Sequence, residues 1–132
     1  MTEGLLKGKK GIIFGALNDK SIAWQVALKA HGNGAQLVLT NSPVALRMGT
    51  INELAEKTGS VVIPADATSM KDIENLVTEA MKVFGGKFDF ILHSIGMSPN
   101  VRKGIPYEQT NYENMLKTLD ISALSFHRVL QS

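Results

Sequence analysis

The stretch G-A-L-N-D-K-S-I-A, Gly15 to Ala23, lies between a short apolar run and a segment with helical periodicity. A glycine after a strand, a short loop and a small hydroxyl residue that opens a helix are typical of α/β proteins that bind a dinucleotide pyrophosphate. Gly15 would allow the sharp turn, and a side chain there would occupy the place of the phosphate. The N–H groups around Ser21 and Ile22 would hold the phosphate oxygens, and Ser21 is expected to cap the helix as well.

The rest of the chain alternates short apolar runs with longer helical periods. Strands are predicted over residues 11–14, 36–40, 60–64 and 87–93. Helices are predicted over residues 21–30, from 42–43 to 58, from 68–69 to 84, and from 111 to about 130. In the first helix, Ile22, Val26 and Ala30 form the expected inward stripe. This order predicts an α/β fold with a Rossmann-type, doubly wound parallel sheet, of which the chain holds the first four βα units.

The composition, 44% apolar and 20% charged, is that of one globular domain over residues 1–132. The net charge of +2 is too small to predict a nucleic-acid partner. The chain has no cysteine, which excludes disulfides and thiol chemistry. No apolar run approaches the ~20 residues of a membrane span, and the N-terminus lacks the apolar stretch of a signal peptide. We therefore expect a cytoplasmic protein without a membrane partner. His, Asp and Glu show no metal-ligand spacing, so no metal is expected either.

Small or polar residues follow all four predicted strands, where an open α/β sheet binds its ligands. These strand ends are Gly15 to Ser21, Asn41-Ser42, Asp66-Ala67 and Ser94-Ile95-Gly96. Ser42 would lie near the adenosine ribose, and Gly96 would leave room for the nicotinamide ribose. Asp66 would accept a hydrogen bond from the adenine amino group, while the Ala67 N–H would donate to the ring. Four such loops on one sheet edge predict a dinucleotide site.

Each of these polar residues also has a structural alternative. Helix capping is the other role for Ser42 and for Asp66, since both precede predicted helices. His93 ends the fourth strand, but a packed, hydrogen-bonded histidine is the favoured interpretation over a catalytic one. Arg47, five residues after Ser42, is favoured as a surface arginine over a ligand of a 2′-phosphate.

Three motifs together resemble a known family. They are Gly15 with Ser21-Ile22-Ala23, then H-S-I-G at residues 93–96, then D-I-S at residues 120–122. They are similar to those of the bacterial enoyl-acyl-carrier-protein reductases, a divergent branch of the short-chain dehydrogenases. In this branch the Ser-Ile-Ala loop stands in place of a three-glycine turn, and H-S-I-G in place of Asn-Ala-Gly. The resemblance runs from Gly4 to Ser132.

The resemblance implies reduction of trans-2-enoyl chains carried on acyl carrier protein, the last step of each elongation cycle in type II fatty acid synthesis. It implies NADH as cofactor, with NADPH open, and a homotetramer. Met97 and Ser98 match positions near the acyl carbonyl, which makes Ser98 the substrate-side candidate. The family's catalytic pattern is a tyrosine, six residues and a lysine. Neither Tyr107 nor Tyr112 has a lysine at that spacing, so no catalytic residue is assigned.

We therefore expect the 132 residues to be the N-terminal, cofactor-binding part of a longer protein, inactive as a reductase alone. Two alternatives remain open. One is a short-chain dehydrogenase that acts on another carbonyl or enone. The other is a short, non-catalytic module that binds a dinucleotide.

Overall fold

The computed structural model describes residues 4–102 and 104–132. Four strands form one parallel sheet in the order β3-β2-β1-β4. They are β1 (Lys10–Phe14), β2 (Gln36–Thr40), β3 (Val61–Val62) and β4 (Phe90–His93). In register, Phe14 pairs with Thr40 on one side and with His93 on the other. The carboxyl ends of these three strands are therefore level, and the predicted Rossmann-type sheet is confirmed.

Helices connect the strands and continue after the last one. They are α1 (Ile22–Gly32), α2 (Pro43–Met48), α3 (Ile51–Thr58), α4 (Met70–Phe84), α5 (Pro99–Arg102), α6 (Tyr112–Leu119) and α7 (Ser125–Gln131). A 3₁₀ turn covers Tyr107–Gln109, and a π-helical turn, Asp120–Leu124, joins α6 to α7. None of the helices in the described residues has the length and apolar character that crossing a membrane requires.

The sheet buries a separate cluster of side chains on each face. On one face, Ile13 and Leu39 pack with residues of α1 and α3. On the other, Ile12 and Val38 pack with residues of α4 and with Val129 of α7. Because both faces are covered, the strands read as continuous apolar runs, which is why their positions could be predicted.

The inward stripe predicted for α1 is wrong at Ile22. Ile22 is 75% exposed, whereas Trp24 is 2% exposed and packs into the cluster together with Ala23 and Ala27. Of the other two predicted residues, Ala30 is buried and Val26 is partly buried against the same cluster. The helix is apolar on more than one side, so its sequence period alone could not select the face that meets the sheet.

The single helix predicted after Ser42 is two helices, α2 and α3, separated at Gly49. The break has a distant cause. The Leu17 carbonyl, in the loop after β1, accepts the Thr50 N–H at 2.9 Å. A Cβ at Gly49 would overlap that same carbonyl oxygen. A continuous helix would leave no room for this contact.

Strands β3 and β4 are shorter than predicted. Beyond Val62, the Ile63 N–H still donates to Leu39 at 2.9 Å, but Pro64 has no N–H with which to extend the ladder. Before β4, the Asp89 carboxylate takes the Lys10 N–H at 2.9 Å in place of a strand carbonyl. Local side-chain chemistry thus ends both strands early.

Candidate functional site

A cleft of about 820 Å³ lies at the carboxyl ends of the strands. Its walls come from the loops after all four strands, from α2 and α5, and from the π-helical turn. The lining residues are Phe14, Gly15, Leu17, Asn41, Ser42, Val44, Ala45, Met48, Ala65, Asp66, Ala67, Thr68, Ser94, Ile95, Gly96, Met97, Ser98, Val101 and Ile121. Asp66 is the one charged side chain among them.

Most of the predicted site residues lie together in this cleft. They are Gly15, Ser42, Asp66, Ala67, Ser94, Ile95, Gly96 and Ser98. Ser21 and Ile22 are not part of its lining. The structure thus brings the four strand-end loops to one place, with the helix-opening pair outside.

Ser21 occupies the N-cap position of α1, but the expectation that its side chain caps the helix is wrong. The Ser21 hydroxyl oxygen instead accepts the N–H groups of Leu17 at 3.0 Å and of Asn18 at 3.1 Å. The Ser21 side chain therefore closes the loop after β1 through its hydrogen bonds to the loop backbone. Sequence reasoning could not separate helix capping from loop closure. Both roles use the Ser21 hydroxyl oxygen, and the N–H groups that it could accept lie within a few residues of it on either side.

The N-cap side chain of α1 consequently accepts none of the N–H groups of the first helical turn. By contrast, Ser42, Ser69 and Asn111 accept such N–H groups at the starts of α2, α4 and α6. Unpaired N–H groups at the positive end of a helix can bind an anion. An anionic group near the loop after β1 would find donors at this helix.

Asp66 is not the cap of α4, because Ser69 fills that role by accepting the Asp72 N–H at 3.3 Å. Asp66 forms a local turn instead. Its Oδ1 accepts the Thr68 N–H at 2.9 Å and the Thr68 hydroxyl at 2.7 Å. Its own N–H donates to Asp72 at 2.9 Å. The other carboxylate oxygen, Oδ2, has no hydrogen-bond partner among the described residues, so an acceptor is left at the cleft.

Ser42 caps α2 and also lines the cleft. Its hydroxyl accepts the Ala45 N–H at 3.3 Å. The neighbouring Asn41 side chain binds two backbone groups. It donates to the Ala16 carbonyl and accepts the Ser42 N–H, both at 2.9 Å. Asn41 therefore ties the loop after β2 to the loop after β1.

The loop after β4 is held by a residue that the sequence reasoning did not assign. The Ser122 hydroxyl accepts the Met97 N–H at 3.1 Å and donates to the Met97 carbonyl at 3.2 Å. Nearby, Gly96 has open space where a side chain would be, and Ser98 accepts the Val101 N–H at 3.5 Å. The π-helical turn thus fixes the cleft wall that carries the substrate-side candidate, Ser98.

Sequence reasoning also missed an apolar part of the cleft wall. Val44 and Met48 of α2, Val101 of α5 and Ile121 of the π-helical turn contribute it. These residues lie on helices, one or more turns away from any strand end. Only the packing of the helices against the sheet brings them to the cleft, so the search of strand ends could not find them.

His93 is a packed, hydrogen-bonded histidine, as the favoured interpretation predicted. Its ring packs near those of Phe14 and Phe126, at centroid distances of 6.5 and 5.4 Å. Its Nε2 is 2.8 Å from the Ser125 hydroxyl, which donates to the Ile121 carbonyl at 2.6 Å. Because that hydroxyl proton is used, His93 Nε2 must donate. Burial lowers the pKa of His93, since the charged ring would lose its hydration.

This lowered pKa predicts a pH dependence of stability. A histidine whose pKa is lower when folded binds its proton more readily in the unfolded chain. The free energy of unfolding should therefore be highest above the ordinary pKa of 6.5 and fall as the pH drops below it. Urea denaturation across this range would measure the slope. His93→Gln keeps a donor at the Nε2 position and should flatten it, whereas His31→Gln, at an exposed position, should not. An equal slope in His93→Gln would contradict the assignment.

Among the residues that the structure describes, no three His, Asp or Glu side chains form a group that could hold a metal ion. The chemistry available at the cleft is therefore that of backbone N–H groups, one carboxylate and small hydroxyls against an apolar wall. Such a wall with a few polar groups suits a nucleotide-sized organic ligand.

Comparison with known proteins gives the context of this site. Residues 15–132 match the family model described as enoyl-(acyl carrier protein) reductase. Among curated relatives, the enoyl-[acyl-carrier-protein] reductase [NADH] FabI of Rickettsia felis is 39% identical, over all of this chain and 50% of its own length. The enoyl-[acyl-carrier-protein] reductase [NADH] 2 of Rhizobium meliloti is 35% identical, over 96% of this chain and 47% of its own.

Solved structures agree with the curated relatives. A FabI–NADH complex from Alistipes finegoldii is 64% identical, with a TM-score of 0.95, over 96% of this chain and 45% of that one. The enoyl-[acyl-carrier-protein] reductase (NADH) of Aquifex aeolicus is 32% identical, with a TM-score of 0.87, over 97% of this chain and 50% of that one. The chain thus spans about half the length of the relatives it matches.

Proposed function

We infer the function from one premise: the chain belongs to the enoyl-(acyl carrier protein) reductase family. Its curated relatives are reductases that use NADH. We propose that residues 1–132 form the dinucleotide-binding part of such a reductase, the N-terminal half of the complete enzyme. The observation that carries the proposal is the meeting of four strand-end loops at one cleft of about 820 Å³.

The residues of the cleft fit a dinucleotide. The first turn of α1 offers N–H groups that the N-cap side chain does not accept, which suits a pyrophosphate. Asp66 keeps a carboxylate oxygen free for the adenine amino group, next to the Ala67 N–H. Gly96 leaves open space for a ribose. We assign the cofactor site to Gly15, Ser21, Ile22, Ser42, Asp66, Ala67, Ser94, Ile95 and Gly96, with Ser21 acting through the loop that it closes.

NADH suits this cleft better than NADPH. A 2′-phosphate calls for a cationic side chain near the end of β2. Among the described residues that line the cleft there is no arginine or lysine, and Arg47 of α2 is an exposed residue outside that lining. When bound, the cofactor supplies a hydride from the nicotinamide C4 to the β-carbon of the enoyl thioester.

The chain's own residues bind and orient the reactants in this proposal. The loop of Ser94 to Ser98, held by Ser122, forms the wall beside the substrate, with Ser98 nearest the acyl group. Hydride addition leaves an enolate, which must be stabilised and protonated by a positioned donor. We propose that a tyrosine and a lysine outside residues 1–132 provide this, so that the present chain alone is inactive.

For the complete enzyme we propose a cytoplasmic homotetramer that takes its enoyl substrate from acyl carrier protein. Exposed apolar side chains on α6 and α7, such as Leu116, Leu119 and Phe126, support association with a further copy. Membranes and nucleic acids have no role in this proposal.

The test is turnover by the protein expressed from its complete gene. We expect it to oxidise NADH in the presence of a trans-2-butenoyl thioester, and to do so faster with NADH than with NADPH. Oxidation with ketones but not with the enoyl thioester would favour a short-chain dehydrogenase of another substrate class. Tight NADH binding without any oxidation would favour a non-catalytic binding module. Either result would overturn the proposal.

A further inference from the structure

Arg128 of α7 reaches across to a cleft loop that is far away in the chain. Its Nη1 donates to the Ala67 carbonyl at 3.4 Å and to the Asp120 carbonyl at 3.4 Å. Its Nη2 donates to the Asp120 carboxylate. The Arg128 side chain is only 23% exposed, so its guanidinium is held largely within the protein. A planar guanidinium can make these contacts together, because its donors are fixed in a fork.

The contact with Ala67 acts on the peptide unit that shapes the Asp66 turn. That unit, between Ala67 and Thr68, is held at both ends. Arg128 binds its carbonyl, and its N–H donates to Asp66 Oδ1 at 2.9 Å. A cation on the carbonyl strengthens the N–H at the other end of the same peptide as a donor. Arg128 thereby fixes the Asp66 carboxylate, of which Oδ2 remains without a partner among the described residues.

We propose that Arg128 is a positioning residue for the adenine end of the cofactor site. This inference rests on the proposed function, in which Asp66 accepts the adenine amino group. Arg128 itself touches no ligand in this proposal. It holds the peptide that aims the carboxylate, and Asp120 neutralises its charge. Through Arg128, α7 would thus influence how selectively the cleft binds adenine.

The experiment compares two cofactors on the protein expressed from its complete gene. NADH carries the adenine amino group, whereas deamino-NADH carries hypoxanthine and lacks it. Dissociation constants of both come from the fluorescence of the reduced nicotinamide. Asp66→Ala is the reference variant, because it should abolish the preference for NADH directly. Lys117→Met removes a positive charge at an exposed position of α6, the helix that the π-helical turn joins to α7. It should change neither of the two dissociation constants.

Arg128→Met should weaken NADH binding by about fivefold, because a less well aimed Asp66 carboxylate weakens its hydrogen bond with the adenine amino group, and deamino-NADH binding by less than about twofold. Arg128→Lys should keep the pairing with Asp120 but not the fork, and should also lose selectivity for NADH. This second variant decides the matter if Arg128→Met does not fold. Equal weakening of both cofactors would mean a merely structural role, and unchanged constants would mean no role. Either would overturn the inference.

The controls separate this inference from the proposed function. If the unchanged protein prefers NADH and Asp66→Ala removes the preference, the adenine assignment stands. Retained selectivity in both Arg128 variants would then overturn only the role of Arg128. If Asp66→Ala leaves the preference intact, the adenine assignment itself fails, and this inference fails with it.

Discussion

Gly15→Val should destabilise the protein by about 3–5 kcal/mol and abolish NADH binding, because the change combines backbone strain with a steric overlap. Gly15 has a φ of +98°, which a β-branched residue rarely adopts. A Cβ at this position would also overlap the carbonyl oxygen of Ser94. The sequence suggested that a side chain here would exclude a phosphate. The structure adds a cause that acts before any ligand binds, since the loops after β1 and β4 touch at this glycine.

Two matched variants separate the causes in this prediction. Gly59 also has a positive φ, of +61°, but nothing lies within 4 Å of its missing side chain, so Gly59→Val should carry the strain alone. Gly96 has neither the strain nor a neighbour, so Gly96→Ala should leave stability unchanged. Urea denaturation and NADH titration of all three give the comparison. If Gly15→Val costs no more than Gly59→Val, the contact with Ser94 is not limiting.

The same contrast between local and distant causes explains how far the sequence predicted the fold. Buried parallel strands are continuous apolar runs, and serines and glycines mark helix ends, so the element order could be predicted from short windows. The break at Gly49 could not, because its cause is the Leu17 carbonyl, 32 residues earlier. A sequence period reports what a helix buries only when one face is apolar.

The candidate site was predictable to the extent that the fold places strand ends together. Asp66, Ser94 and Gly96 follow strands, and a parallel sheet brings strand ends to one edge. The apolar wall from α2 and the contacts of Ser122 and Arg128 were not predictable. They depend on where the side chains of a helix lie once the helix has packed against the sheet. The local sequence around a strand end gives no information about that position.

The largest effect in the core is expected at Trp24, and it decides between the predicted and the observed face of α1. Trp24→Ala removes an indole that is 2% exposed and leaves a cavity, which should cost about 3–5 kcal/mol. The cavity cannot collapse easily. The small residues Ala23 and Ala27 of the same helix pack in the same cluster, so α1 already lies close to the sheet. Denaturation followed by circular dichroism measures the cost without relying on tryptophan fluorescence.

Ile22→Ala is the matched variant, since Ile22 heads the stripe that the sequence favoured. At 75% exposure, its loss should change stability by less than about 0.5 kcal/mol. A large cost at Ile22 with a small one at Trp24 would mean that α1 is rotated and that the sequence period was right. The expected opposite result would mean that the sheet, rather than the period, selects the buried face. Ile22 would then stay at the surface beside the uncapped first turn of α1, where the proposed function needs it.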